Sequence, residues 1–126
     1  MSATVLVVED EPILALELCE DLTRHGYTVP PSVNDGDMVL ANVLKHKPDV
    51  IVMDIKLFGF RNGLDEALRI RAFFKTPLVY LSSYSYAEVK EQVERTAPAV
   101  YLEKPYDEAT LVSTIEGMLH GDQASR

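Results

Sequence analysis

Val5-Leu6-Val7-Val8-Glu9-Asp10-Glu11 is an unbroken apolar run that ends abruptly in three carboxylates. A strand with one wet face alternates apolar and polar residues. A continuous run instead reads as a strand buried on both faces, as in a parallel sheet covered by helices. The same run recurs as Val50 to Met53 before Asp54 and Leu78 to Leu81 before Ser82-Ser83, and more briefly as Val100 to Leu102 before Glu103-Lys104-Pro105. Thr28 to Val33 reads as a weaker fifth strand, and Pro30-Pro31, which lack two ladder donors, put it at an edge. Helical periods fill the gaps: Leu14, Leu18 and Leu22 form a stripe after Pro12, as do Ala67, Ile70 and Phe74, and Leu111, Ile115 and Met118. Candidate N-caps are Asn34 or Asp35, Asn62 and Asp107, and Ser85 with Glu88 spells a capping box. The pattern closes as five strand-helix units, an α/β doubly wound, five-stranded parallel sheet flanked by five helices.

The chain of 126 residues is one domain by size, expected over 1–121 with a short polar tail at 122–126 and no room for an output domain. Twelve basic against twenty acidic residues give a net charge of −8, which repels nucleic acid and leaves divalent cations and basic protein surfaces as partners. The lone Cys19 cannot pair within the chain and reads as a core filler. No apolar run approaches the ~18 residues of a membrane span, so a cytoplasmic location is expected. His25, His46 and His120 fall at helix ends, where the dipole accounts for them.

In an open parallel sheet, ligands bind beyond the carboxyl ends of the strands, where strand order reverses. Those ends carry Glu9-Asp10-Glu11, Asp54, Ser82-Ser83 and Glu103-Lys104-Pro105. Each alone has an ordinary reading, as a solvated loop, a turn or a surface lysine, and their joint occurrence carries the inference. Carboxylates gathered at one edge repel unless a cation intervenes. Oxygen donors with no histidine or thiol suit Mg²⁺ (or Mn²⁺) rather than zinc, and point to phosphoryl transfer.

The motifs V-L-V-V-E-D-E, V-M-D-I, Y-L-S-S and Y-L-E-K-P, in this order, strongly resemble response-regulator receiver domains of two-component signalling, of the single-domain, chemotaxis-regulator-like kind. The resemblance implies the flavodoxin-like (βα)5 fold. It also implies that Asp54 is the phosphoacceptor, that Asp10 and Asp54 ligate the metal with Glu9 acting through water, and that the backbone carbonyl of Lys56 completes the set. Lys104 would meet a phosphoryl oxygen, and Ser82 and Tyr101 would form the switch. The Lys104-Pro105 bond falls where the family has a cis peptide. Glu9 stands where Asp is commoner. Ser83 replaces a usual Ala or Gly and adds a hydroxyl near the phosphoryl group. The loop Lys56 to Arg61 is longer and more aromatic than usual, and Lys56 and Tyr84 fall at positions that tune access of water.

The implied partners are a sensor histidine kinase or histidine phosphotransfer protein and an unnamed downstream protein. Contacts, including a homodimer, would use the face of the fourth helix, fifth strand and fifth helix. Self-phosphorylation and self-dephosphorylation would be the only chemistry, without turnover of an external substrate. The alternatives are a phosphorelay intermediate or phosphate sink and, more remotely, an aspartate-nucleophile phosphatase. Lys56 occupies the second acidic position that such a phosphatase's D-x-D motif needs.

Overall fold

The computed structural model describes residues 2–55 and 63–120. Four apolar runs form strands: β1 (Val5–Val8), β2 (Val50–Asp54), β3 (Leu78–Ser82) and β4 (Ala99–Glu103). Each pairs in parallel with the next, in the order β1-β2-β3-β4. The expected fifth strand over Thr28 to Val33 is not a strand. Thr28 bridges Thr4 and Val33 bridges Val8 on the free side of β1. The four ladder bonds at these bridges are all 2.9 Å: Thr28 N to Ala3 O, Val5 N to Thr28 O, Val33 N to Val7 O and Glu9 N to Val33 O. Between them Pro30 and Pro31 have no N–H to donate, so an edge strand shrinks to its two ends.

Five helices follow the strand ends: α1 (Pro12–Arg24), α2 (Val39–His46), α3 (Gly63–Arg71), α4 (Tyr86–Glu94) and α5 (Glu108–His120). They cover both faces. Val5, Val7, Val52, Val79 and Leu81 pack against Leu18 and Leu22 of α1 and Leu111 and Ile115 of α5. The alternate strand residues Leu6, Ile51, Met53, Leu78 and Tyr80 pack against Val43 of α2, Ile70 of α3 and Val89 of α4. At roughly 1.5–3 kcal/mol per large side chain, burial on both faces explains why unbroken apolar runs form this sheet.

Two stripes differ from expectation. On α1 the buried row is Ala15, Leu18 and Leu22, while Leu14 is 37% exposed, because spacings of three and four share a helix face better than a strict repeat of four. Phe74 lies beyond the end of α3, although it still packs against the core. Asp35 caps a 3₁₀ turn (Gly36–Met38) that leads into α2, accepting from Asp37 N at 2.9 Å. Asp107 caps α5 by accepting from Thr110 N at 2.7 Å. Asn62, the loop 56–61 and the tail 122–126 lie outside the described residues.

Candidate functional site

The chain leaves β1 on one side toward the Thr28 to Val33 segment and returns on the other as β2. Strand order therefore reverses at β1, and the crevice lies at the carboxyl ends of β1 and β2. Val8 pairs with Met53, so the next residues, Glu9 and Asp54, stand abreast on strands about 4.8 Å apart. Asp54 is also in register with Leu81 of β3, and Ser82 with Glu103 of β4. The register thus carries all four motif-bearing strand ends to one edge.

The Asp54 side chain is 5% exposed. Its Oδ1 accepts from Lys104 Nζ at 3.1 Å, while its Oδ2 is buried with no hydrogen-bond partner among the described residues. Glu9, only 3% exposed, accepts from the Glu11 backbone N–H at 3.0 Å. Burial, together with the neighbouring Asp54, pushes the Glu9 carboxyl up to about 7, against the opposing pull of the Glu11 amide and Lys104. Asp10 is exposed at the mouth.

A buried carboxylate oxygen without a hydrogen bond among the described residues, beside a second carboxyl whose ionisation burial opposes, is a donor set that a hard cation would suit. Among the described residues no three carboxylate, imidazole or thiol side chains form a ready cage. Magnesium is usually bound by one or two carboxylates with water filling the rest, so the donors present suit it. Asp54, Glu9 and Asp10 could hold such an ion. Lys56, the expected carbonyl ligand, lies outside the described residues.

The switch candidates lie one layer away. Ser82 is fully buried, and its Oγ accepts from Tyr84 N at 3.1 Å. Tyr101 donates its hydroxyl to Tyr84 O at 2.7 Å, and its ring lies 5.5 Å from that of Tyr86. Burial raises the Tyr101 phenol above its ordinary pKa, so it remains a donor. Ser83 is exposed, and the Lys104-Pro105 peptide is cis. His25 closes α1 and meets Glu108 Oε2 at 2.7 Å, while His120 meets Glu116 at 3.2 Å.

Sequence reasoning missed two supports. Gly63 opens α3 so close to the site that a Cβ there would meet Asp54 O at 2.9 Å and Met53 Sδ at 3.1 Å. Its only signal was a glycine where a helix should begin. Tyr106 follows the cis proline, and burial together with the charges of Asp54 and Glu9 raises its phenol to about 12.

Comparison with known proteins agrees with this geometry. The model of the response regulator receiver domain matches residues 5–116. PilH of Pseudomonas aeruginosa is 34% identical over 122 residues, covering 94% of this chain and 99% of PilH. PdtaR of Mycobacterium tuberculosis, a transcriptional regulatory protein, is 32% identical over 112 residues, covering 89% of this chain but 54% of PdtaR, so the chain spans about half of that relative. The solved chemotaxis protein CheY4 of Vibrio cholerae superposes with a TM-score of 0.83 at 27% identity, covering 94% of this chain and all of CheY4. Sequence, strand register and fold therefore converge on one conclusion: the chain belongs to the response regulator receiver domain family.

Proposed function

We propose that this receiver is activated by phosphorylation of Asp54, the observation that carries the reading being its buried carboxylate, paired with Lys104 on one oxygen and, among the described residues, without a hydrogen bond on the other. The donor is a phosphohistidine on a sensor kinase or phosphotransfer protein, or a small acyl phosphate. A carboxylate oxygen of Asp54 attacks phosphorus, forming a C–O–P anhydride as the P–N bond of a phosphohistidine or the P–O bond of an acyl phosphate breaks, and the departing imidazole or carboxylate keeps the electron pair. Lys104, already 3.1 Å from Oδ1, passes to a phosphoryl oxygen. Ser82 releases the Tyr84 amide and donates its hydroxyl to another, with Ser83 adding a hydroxyl nearby. Tyr101 follows Ser82 inward. Hydrolysis by water attack restores the carboxylate.

Asp10 and Asp54, with Glu9 through water and the Lys56 carbonyl, would hold Mg²⁺ (or Mn²⁺). When bound, that ion would neutralise charge gathering on the phosphoryl oxygens. A phosphoryl group adds about −1.5 to −2 charge and three acceptors. Charge-assisted bonds from Ser82 and Lys104, at about 1.5–3 kcal/mol each, approach the ~5.5 kcal/mol that turns a 1:99 population into 99:1. The output is a change in protein contacts on the face built from α4, β4 and α5, where Tyr84, Tyr86 and Tyr101 lie.

Incubation with acetyl phosphate and Mg²⁺, followed by intact mass measurement, tests this. One phosphoryl adduct is expected, lost in Asp54→Asn and on chelation of the metal. An adduct that persists in Asp54→Asn would overturn the assignment.

A further inference from the structure

The α4 end of the switch is held by a residue that the mechanism above does not use. Glu103, the last residue of β4, lies beside Lys104 and in register with Ser82. Its Oε2 accepts from the backbone N–H of Tyr86, the first residue of α4, at 2.9 Å. The amides of a helix's first turn have no partner within the helix, and a carboxylate there also meets the positive end of the dipole. Glu88 takes the preceding amide, of Ser85, at 3.0 Å. The next amide is capped from the neighbouring strand.

Tyr101, two residues before Glu103 on the same strand, binds Tyr84 O at 2.7 Å. β4 therefore grips the segment Tyr84–Tyr86 at two points, through a carboxylate and a phenol. That segment also occupies Ser82, whose hydroxyl accepts from Tyr84 N at 3.1 Å. When Ser82 turns toward Asp54 the Tyr84 amide loses that acceptor, and the contacts from Glu103 and Tyr101 are then what hold the start of α4 to β4.

We propose that Glu103 is a positioning residue that latches the start of α4 to β4 in the unphosphorylated receiver, so that phosphoryl capture at Asp54 is coupled to release of the Tyr86 amide. This deepens the proposed function and rests on it. The latch sets how readily the switch closes, without touching the phosphoryl group.

The test uses the full chain with Mg²⁺ and beryllofluoride as the phosphoryl mimic, and compares wild type with Glu103→Ala and Glu103→Gln. Losing a helix cap carries a factor of about five, so Glu103→Ala should bind beryllofluoride about fivefold more tightly. Glu103→Gln, which keeps an acceptor oxygen but drops the charge, should lie between Glu103→Ala and wild type. Exchange of the Tyr86 amide should be slow in the ligand-free wild type, and faster both in Glu103→Ala and in wild type with beryllofluoride. Equal affinities in all three proteins would overturn the latch, as would equal tightening by Ala and Gln, which would mark a simple charge effect. If wild type fails to bind beryllofluoride, the Asp54 reading fails and the latch with it; normal wild-type binding with unaltered variants removes the latch alone.

Discussion

Lys104 is the residue whose loss should be most visible, because it holds a buried carboxylate now and would hold a phosphoryl oxygen later. Removing one charge-assisted bond worth about 1.5–3 kcal/mol predicts that Lys104→Ala slows acetyl phosphate labelling roughly 10- to 100-fold. Stopped-time mass spectra would show this, and a rate within twofold of wild type would count against the role. Gly63 makes a different demand. A methyl group placed 2.9 Å from Asp54 O forces backbone apart, so Gly63→Ala should cost about 1–3 kcal/mol by urea unfolding and also reduce labelling. Retention of both would mean that the close approach is unimportant. That Asp54, Lys104 and Glu9 meet at one edge was legible in the sequence, because each ends or follows a readable strand. The contacts of Gly63 with Asp54 and of Glu103 with Tyr86 were not, because they join segments whose approach local sequence does not encode.

Among the elements, the buried strands were the easiest to read, since a run apolar on both faces has few alternatives. The edge segment pairs less than expected, because Pro30 and Pro31 remove enough of the ladder that only the bridges at Thr28 and Val33 remain. The stripe of α1 keeps Leu18 and Leu22 but takes Ala15 in place of Leu14, since helix register is set by which face meets Val5, Val7 and Val52. Helix ends obeyed capping chemistry where a side chain could reach. Asp107 accepts from Thr110 N, so Asp107→Ala should destabilise the protein by about 1 kcal/mol, measured as a lower urea midpoint with an unchanged slope. An unchanged midpoint would show that the cap contributes nothing to folding.

For the whole molecule, the acidic crevice links stability, pH and metal. Glu9 is raised from 4.5 to about 7 by burial, so the folded protein binds that proton more tightly than the unfolded chain does. Its contribution is complete below about 4.5 and is lost as pH rises through about 7. Metal-free protein should therefore lose thermal stability across that window, with a shallower loss in Glu9→Gln and recovery on adding Mg²⁺ at pH 7.5. A Glu9→Gln profile matching wild type would contradict this. The central claim remains that Asp54 becomes an acyl phosphate. Borohydride reduces such an anhydride to an alcohol, so labelled protein treated this way and digested should carry homoserine at position 54. Homoserine at another aspartate, the longer alcohol 5-hydroxynorvaline at a glutamate, or neither despite a phosphoryl adduct, would contradict the account.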